Sequence, residues 1–395
     1  MDFDLSEEQR LAVDAARRFL EQDIRPYAEQ YRDTVVPKPV MHELLRKIVP
    51  FGYIVGSIPE RDGGMGLPVL TSGLLYEQLF RVFPGLAGTA FINEGFLLTL
   101  YHDGTPEQRA RYLPGLMSGD LIGCSAITEP NVGSNVRNVS TKATPAGDGY
   151  VINGQKNWIS NGGISDACIV VVRHEDAAKG LNRFVVDREP HGYTTRELHK
   201  LGLNAWSTAE VFFDNARVPA SAQVGAWGTG LKRTLQLFEW ARCFVAITSV
   251  GIAQSALDHS LAYAQEREQW GKRIGQHQLI QDMIADMATE LDCARLLTYR
   301  AMSLVDKGAR CDTQTSMAKY YATEAAVRIT SRAIQIHGAY GLSQEYPLEG
   351  LFRDARMMTI PDGTSQIQKL VIARNLLGGL SAFGEAPRAA AAGQK

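Results

Sequence analysis

The sequence has few cysteines and little excess charge, and both shortages exclude classes of protein. Its five cysteines lie far apart and form no Cys-x-x-Cys pair, so they indicate neither a zinc site nor a disulfide framework. The formal net charge of -2 provides no electrostatic surface for nucleic acid. No apolar run approaches the roughly 18 residues of a transmembrane helix. We therefore expect a protein that binds neither nucleic acid nor membrane.

The amino terminus lacks the features of a targeting peptide. MDFDLSEEQR is acidic and enters a helical pattern at once, whereas signal and transit peptides begin with basic segments. We therefore expect a cytoplasmic protein. Its 395 residues, with 45% hydrophobic and 21% charged residues, are enough for two or three globular domains.

Helical periodicity dominates the first part of the chain. Ser6 with Gln9, and Thr105 with Gln108, match capping boxes, in which the N-cap and third-residue side chains bond each other's backbone N–H groups. Apolar residues recur at helical spacing between these two caps. The pattern predicts an all-helical domain over residues 1–120.

The pattern then changes twice. Over residues 121–228 the apolar runs become short and β-branched, which predicts a β domain, and Asn153-Gly154 predicts a type I′ hairpin turn. From residue 229 the helical period returns in four long segments, which predicts a helix bundle over 229–381. The Ala/Gly-rich residues 382–395 predict a flexible tail. The fold class is therefore α+β.

The sequence IPDGTSQIQKLVIAR, residues 360–374, places a tight corner directly before a helix. Thr364 matches an N-cap, because its hydroxyl can accept from a free backbone N–H of the first turn. Asp362 stands just outside this helix start, where a carboxylate is electrostatically favoured. By themselves, these residues indicate only a turn aspartate that begins a helix.

Two strings upstream of the corner change this interpretation. QIHGAYG at 335–341 and LFRDARMMTI at 351–360, taken with the corner, resemble the C-terminal signature of the acyl-CoA dehydrogenase family. The resemblance covers nearly the whole chain. It implies a helical N-terminal domain, a central β-barrel and a C-terminal four-helix bundle, with FAD as the cofactor. The family's corner reads Tyr-Glu-Gly-Thr with the glutamate as catalytic base, so the resemblance assigns that role to Asp362, which follows Pro361.

Two motifs of the β region resemble flavin-binding segments of the family. TEPNVGS at 128–134 resembles a loop that touches the flavin and the thioester end of CoA. KNWISNGG at 156–163 resembles a segment whose tryptophan packs on the flavin and whose hydroxyl donates to flavin N5. Without the family, the first motif is an ordinary turn and the second a core strand. The resemblance implies cofactor contacts for Ile127, Thr128, Ser134, Trp158 and Ser160, and places Ser134 near CoA as well.

Two segments of the helical C-terminal region resemble parts of the family that bind the FAD diphosphate. REQWGKRI at 267–274 resembles a motif whose arginine contacts the diphosphate in a neighbouring subunit, although alone it reads as a solvated helix end. QIHGAYG resembles the loop that receives the pyrophosphate from the partner subunit. The shared cofactor implies at least a dimer, and the family is usually tetrameric. The resemblance assigns FAD contacts to Arg267, Trp270, Gln335, Gly338, Thr364 and Gln366.

The helix around residues 235–247 narrows the choice of catalytic base. Arg242 matches an arginine near the family's active site. Some relatives place their catalytic glutamate immediately before this arginine, where this chain has Ala241. Glu239 lies two residues earlier and about 200° around the helix, so it cannot take that position. Asp362 is then the matched candidate for the base.

The helix over residues 86–101 resembles the wall around the acyl group. Leu86, Ala90 and Glu94 share one of its faces and are predicted to bind substrate. The family's glutaryl-CoA enzyme has an arginine near the position of Leu86, and its absence here argues against dicarboxylic acyl groups. Glu94 is either a second base at the far end of a ring substrate or a solvated or paired helix carboxylate.

The resemblance implies an enzyme that abstracts the α-proton of an acyl-CoA and transfers the β-hydride to flavin N5. Electron-transferring flavoprotein is the implied acceptor. Aspartate at the corner also resembles the enzymes acting on cyclohexane- or cyclohexene-carboxyl-CoA, which we favour because the CoA-side loop is retained. It also resembles nitroalkane oxidase, a flavoenzyme of the same fold without CoA. A non-catalytic flavin-binding scaffold is a further alternative.

Overall fold

The computed structural model describes residues 4–176, 179–190 and 192–378. Its N-terminal region is helical, and a π-helical turn at Leu20–Ile24 joins the first two helices. Both predicted capping boxes are confirmed, with Ser6 accepting from Gln9 N and Thr105 from Gln108 N. The helices are α1 (Glu7–Phe19), α2 (Arg25–Gln30), α3 (Lys38–Ile48), α4 (Val69–Val82), α5 (Pro84–Asp103) and α6 (Pro106–Ser118).

The middle of the chain forms one eight-stranded sheet. The strands are β1 (Gly123–Ala126), β2 (Lys142–Ala146), β3 (Gly149–Ser160), β4 (Ala167–His174), β5 (Leu181–Asp187), β6 (Tyr193–Glu197), β7 (Thr208–Pro219) and β8 (Gln223–Val224). Their order is β6-β7-β3-β2-β4-β5-β8, and β1 pairs parallel to β4. One apolar core lies within this sheet, because alternate residues of its strands are buried.

The predicted hairpin turn at Asn153-Gly154 is wrong, because β3 runs straight through these two residues. The turn lies instead at residues 147–148, where Gly147 has φ +62° and Ala146 pairs with Gly149. Asn153 accepts a 2.7 Å bond from Asn215 N on β7, beside a register shift between β3 and β7. A Cβ at Gly154 would lie 2.5 Å from Thr141 Oγ1, so this glycine permits close packing rather than a turn.

The C-terminal region is helical, as the sequence predicts. Its helices are α7 (Gly230–Glu266), α8 (Gln278–Asp306), α9 (Asp312–His337), α10 (Leu348–Met358) and α11 (Ser365–Leu376). A short hairpin, β9 (Glu268–Gln269) and β10 (Lys272–Arg273), follows α7. The predicted tail, 382–395, lies outside the described residues.

Helix α7 runs through the centre of the bundle and packs against α4, α8 and α9. In the described ranges it is the one helix whose length and composition would suit a membrane span, and 67% of its apolar window is buried inside the protein. Those apolar side chains belong to the main core, which joins both helical regions. The bundle is therefore built around α7.

The end of β3 joins the sheet to the N-terminal helices. Asn161 donates through Nδ2 to the carbonyls of Thr89, on α5, and Gly123, on β1, both at 3.1 Å. The indole N–H of Trp206 donates to Asn161 Oδ1 at 2.9 Å. The side chains of Asn161 and Trp206 are both buried. This bonding holds α5 at a defined place beside the strand that ends at Ser160.

Candidate active site

The corner before α11 holds its aspartate in the left-handed backbone region. Asp362 has φ +52° and Gly363 φ +93°. Thr364 is the N-cap of α11, as predicted, and its hydroxyl accepts from Ile367 N at 3.4 Å. A non-glycine residue with positive φ is uncommon, and aspartate tolerates this conformation better than longer or β-branched residues do. Aspartate therefore suits this corner.

Asp362 is a half-buried carboxylate that faces two cations. Burial raises its pKa, and the charges of Lys319 and Arg242 lower it, with a net increase above the ordinary value. Within the described ranges neither cation comes within ion-pair distance of the carboxylate. Two positive charges thus act on the carboxylate, but neither cation is bonded to it. Its oxygens are therefore available for proton transfer.

Arg242 is buried and lacks an acceptor. Its side chain on α7 is 8% exposed, and no residue of the described ranges forms a hydrogen bond or ion pair with it. Burial lowers the pKa of this guanidinium group, and Asp362 and Glu239 oppose that change. A buried guanidinium group without an acceptor is costly. We therefore expect an oxygen acceptor to reach Arg242 when a ligand binds.

Two buried side chains donate hydrogen bonds to backbone carbonyls of the corner. Lys319, on α9, donates through Nζ to Thr359 O at 3.0 Å and Gly363 O at 2.9 Å. Gln368, on α11, donates through Nε2 to Asp362 O at 3.0 Å and Gly363 O at 2.9 Å. Both side chains are completely buried.

Sequence reasoning missed both of these residues. The signal available for Lys319 is its place in the buried stripe of α9, among Ala318, Ala322 and Thr323. A lysine in such a stripe is rarely buried without a partner. The pattern could therefore have identified it as a candidate for a specific polar contact.

The loop after β1 is fixed by a buried glutamate. Glu129 accepts from Ser140 and Thr141 and forms an ion pair of 2.9 Å with Lys156 Nζ. Burial raises the pKa of Glu129, but the bonds from Ser140, Thr141 and Lys156 outweigh it and bring the pKa to about 2. Lys156 also donates to Ile127 O at 3.0 Å, and Asn157 N donates to Thr128 O at 2.9 Å.

These bonds hold the backbone of Ile127 and Thr128 against Lys156 and Asn157 of β3, next to Trp158. Trp158 lies in β3, two residues after Lys156, with φ +60° and a side chain that is 56% exposed. Thr128 and Ser160 are half-buried and Ser134 is exposed. An exposed aromatic ring, with hydroxyl groups on the same two segments, is chemically suited to a planar heteroaromatic ring such as a flavin. The residues present therefore fit the isoalloxazine part of FAD.

The other predicted cofactor residues form a second group at the far end of α7. The Arg267 guanidinium group lies 5.7 Å from the ring centre of Tyr340, and Trp270 is 93% exposed. Gly338 has φ +60°, with no atom within 4 Å of a Cβ placed there. Gln335 is exposed. At about 1.5 Å per residue, Arg267 lies on the order of 40 Å along α7 from Arg242.

Such a separation places the second group beyond the reach of the Asp362 corner within one chain. The exposed cation and the open glycine backbone fit a phosphate group. Thr364 and Gln366 lie instead at the corner itself, where Gln366 is exposed. The two groups can serve one FAD only if the second acts on the site of a neighbouring copy, as the resemblance implies.

The predicted acyl wall on α5 is buried. Leu86 and Ala90 are completely buried, and so is Glu94, which accepts from the hydroxyls of Tyr76, at 2.9 Å, and Ser57. Burial raises the pKa of Glu94 to about 7, although both hydroxyls oppose the shift. A solvated Glu94, which the sequence left open beside a paired carboxylate and a second base, is therefore wrong. In the described ranges its carboxylate accepts from two neutral hydroxyls.

Aromatic side chains join α5 to α7 beside these residues. Phe91 stacks on Trp240 at 5.1 Å and on Phe244 at 5.2 Å between ring centres, and Trp240 lies 4.5 Å from Phe244. The indole N–H of Trp240 has no acceptor in the described ranges. Trp240 lies two residues before Arg242. These three rings, which we call the aromatic floor, fill the space between the helices.

Three family models together match most of the chain. The N-terminal, middle and C-terminal domain models of acyl-CoA dehydrogenase match residues 6–120, 124–216 and 228–377. The C-terminal match contains Asp362, Arg242 and Lys319.

Curated relatives match over nearly their full length. Cyclohex-1-ene-1-carbonyl-CoA dehydrogenase of Geobacter metallireducens is 36% identical, over 94% of this chain and 99% of its own. The CarC subunit of the caffeyl-CoA reductase-Etf complex of Acetobacterium woodii is 35% identical, over 94% and 99%. The solved structure of glutaryl-coenzyme A dehydrogenase with glutaryl-CoA superposes with a TM-score of 0.91 at 34% identity, covering 98% of this chain and 100% of that chain.

These matches confirm the predicted fold class and cofactor. The chain therefore belongs to the acyl-CoA dehydrogenase family, whose members are FAD-dependent oxidoreductases acting on the CH–CH bond of acyl-CoA thioesters.

Proposed function

We propose that this enzyme dehydrogenates a compact, alicyclic or α-branched acyl-CoA, such as cyclohexane-1-carboxyl-CoA, with Asp362 as the catalytic base. The observation that carries the proposal is the half-buried Asp362 at φ +52°, facing Arg242 and Lys319 without a direct bond to either. Bound FAD supplies the acceptor for the β-hydride. The residues of the chain bind and orient the thioester and remove the α-proton.

Proton removal requires a carboxylate and a place for negative charge on the thioester oxygen. The N–H of Asp362 has no acceptor in the described ranges, so it is free to donate to that oxygen. The same residue thus offers a base and a hydrogen-bond donor. Burial by the substrate would raise the pKa of Asp362 further, towards that of the weakly acidic α-carbon.

The surroundings of the corner favour a short, wide acyl group. Aspartate is one methylene shorter than glutamate. The α-carbon of the substrate must therefore lie about 1 Å closer to the backbone of the corner for the carboxylate to reach it. The aromatic floor fills the space between α5 and α7, so an acyl group bound along α5 would have little depth there, and flat rings suit contact with an alicyclic group. A dicarboxylic acyl group would need a cation near this position for its distal carboxylate, and the residue here is the buried, uncharged Leu86. Identity does not choose among substrates, because glutaryl-CoA and short-chain enzymes are also 36% identical.

We further propose CoA contacts for Ser134 and Arg242. Ser134 is exposed on the loop that Glu129 fixes, where it can reach the pantetheine chain. Arg242 lacks an acceptor, and a bound thioester or pantetheine oxygen would satisfy it. The wall residues Leu86 and Ala90 would contact the acyl group through apolar surface. The role of Glu94 is different, because its carboxylate is already bonded to Tyr76 and Ser57.

The proposed enzyme is a homotetramer that passes electrons to an electron-transferring flavoprotein in the cytoplasm. Arg267, Trp270 and Gly338 support assembly, because they are exposed and suited to a diphosphate yet remote from Asp362. The relative from the Etf complex supports the acceptor. The mass of the protein in solution, and flavin reoxidation by purified electron-transferring flavoprotein, would test these two points.

The test of the reaction is anaerobic mixing of the purified flavoprotein with straight-chain, isobutyryl and cyclohexanecarboxyl-CoA, and separately with nitroethane. We expect cyclohexanecarboxyl-CoA to reduce flavin absorbance fastest and Asp362→Asn to abolish the change. Reduction by nitroethane alone would overturn the proposal in favour of a nitroalkane oxidase. If no compound reduces the flavin, the proposed substrate class and the role of Asp362 are both wrong.

A further inference from the structure

The left-handed conformation of Asp362 is held by groups that lie outside the corner. Its own side chain forms no hydrogen bond within the described ranges, so it does not stabilise the turn. The carbonyls of Thr359, Asp362 and Gly363 all accept from buried side chains, with distances between 2.9 and 3.0 Å. Gly363 O accepts from both Lys319 and Gln368. The backbone on both sides of the aspartate is therefore fixed.

Lys319 differs from Gln368 because it brings a positive charge. Its side chain is completely buried on α9, and its two hydrogen-bond acceptors are neutral carbonyls. Carbonyl oxygens do not neutralise an ammonium group, and a neutral amide side chain could donate to the same carbonyls without bringing a charge. The nearby carboxylates are Asp362 and Glu324, and Glu324 already accepts from Ser365.

We propose that Lys319 is a positioning residue, whose ammonium group fixes the carbonyls on both sides of Asp362 and so directs the shorter aspartate side chain at the α-carbon of the substrate. The proposal rests on the proposed function of Asp362 as the base. It also accounts for an aspartate at this corner, because aspartate accepts a positive φ that the lysine then enforces.

The charge of Lys319 has a second consequence, for the pH dependence of the reaction. Charged groups face the site from two helices: Arg242 and Glu239 from α7, and Lys319 and Glu324 from α9. The cations lower the pKa of Asp362, which burial raises. Removal of the Lys319 charge should therefore raise that pKa, and the acid limb of the pH–rate profile should move to higher pH.

The experiment measures single-turnover flavin reduction between pH 5 and 9 for the wild type, Lys319→Met and Asp362→Asn. The probe is whichever of straight-chain, isobutyryl and cyclohexanecarboxyl-CoA reduces the wild-type flavin fastest. Lys369→Met is the matched control, because Lys369 is exposed on α11 and lies over the ring of Tyr320. We expect Lys319→Met to lower the limiting rate about 10- to 100-fold with an unchanged half-saturating concentration, as displacement of a reacting group does. Its acid limb should move upward, and the control should match the wild type.

The outcomes separate this inference from the proposed function. A wild-type rate and acid limb in Lys319→Met, with an inactive Asp362→Asn, would overturn the positioning role and leave the base in place. A wild-type rate in Asp362→Asn would overturn both. A crystal structure of Lys319→Met should show φ of residue 362 moved out of the left-handed region, and an unchanged corner would contradict the proposal.

A second variant covers failure of Lys319→Met to fold. Lys319→Gln keeps a donor towards Thr359 O or Gly363 O but removes the charge. We expect it to show the same upward shift of the acid limb with a smaller loss of rate. A wild-type limb in this variant would overturn the electrostatic part of the role. Gln368→Leu tests the backbone part, since it removes two bonds to the corner and leaves the ammonium group in place.

Discussion

The Lys156 ammonium group lies 2.9 Å from the Glu129 carboxylate, and the two side chains are only 0% and 3% exposed. This ion pair joins the loop after β1 to strand β3, and both carry predicted flavin contacts. Burial lowers the pKa of Lys156, whereas that of Glu129 falls to about 2. Glu129 also accepts from the backbone N–H and hydroxyl groups of Ser140 and Thr141. These bonds favour the ionised form of its carboxyl group.

Removal of one partner should therefore destabilise the protein strongly. We expect Lys156→Met to cost about 3–5 kcal/mol of unfolding free energy, because it leaves a buried carboxylate without its cation. Thermal unfolding and the flavin content of the purified protein would measure the loss. The stability that Glu129 contributes is present above the unfolded pKa near 4.5 and is lost as pH falls from there towards 2. A pH-independent difference between variant and wild type would contradict this account.

Lengthening the side chain at position 362 should reduce activity, although the usual family residue at this position is glutamate. Asp362→Glu places a longer side chain at φ +52°. Glutamate tolerates this backbone conformation less well than aspartate, and its carboxylate would lie beyond the position of the aspartate carboxylate. We expect flavin reduction by cyclohexanecarboxyl-CoA to slow about 100-fold, as a displacement of about 1 Å does. Asp362→Asn is the control for folding, because asparagine accepts the same φ. Faster reduction by Asp362→Glu would contradict the fit of the aspartate.

Glu94 should make stability depend on pH near neutrality. Its folded pKa of about 7 lies above the ordinary 4.5, so its contribution to stability is fully present below 4.5 and is lost as pH rises through 7. The loss at pH 8 is about 3 kcal/mol. Glu94→Gln stays neutral, so its unfolding free energy relative to the wild type should be higher at pH 8 than at pH 5. An equal difference at both pH values would show that Glu94 titrates normally.

The aromatic floor should limit the length of the acyl group. Trp240→Ala removes the ring that stacks on Phe91 and Phe244, and so opens space between α5 and α7. We expect the rate with octanoyl-CoA to increase relative to cyclohexanecarboxyl-CoA, at a stability cost of about 3–5 kcal/mol. Single-turnover flavin reduction with both esters would measure the ratio. Leu235→Ala, an exposed change on α7, is the control, and an unaltered ratio in Trp240→Ala would place the acyl group elsewhere.

Local features of the fold were predictable where the interacting groups are neighbours along the chain. The caps at Ser6, Thr105 and Thr364 each act on an N–H three residues away, so the sequence was sufficient to identify them. The turn signal at Asn153-Gly154 failed, because pairing with β7 and close packing on Thr141 outweighed the local preference.

The candidate site was only partly predictable, for the same reason. The motifs predicted a role for Asp362 and the cofactor segments, but the environment of each side chain depends on distant elements. The sequence left Glu94 open as a second base at the substrate or as a solvated or paired carboxylate, and only the packing of α5 against Tyr76 and Ser57 shows it buried among hydroxyls. That Arg242 has no acceptor among the residues the structure describes was equally invisible in the sequence.

The sequence by itself determined the family, the order of helical and β regions, and an aspartate at the position of the catalytic base. Periodicity, caps and motifs depend on residues a few positions apart, so they are legible in one dimension. Only the tertiary structure decided what surrounds Asp362. Lys319 lies 44 residues before Gly363, yet helix packing brings its ammonium group to 2.9 Å from that residue's carbonyl. The electrostatic surroundings of Asp362 therefore follow from the packing of α7, α9 and α11.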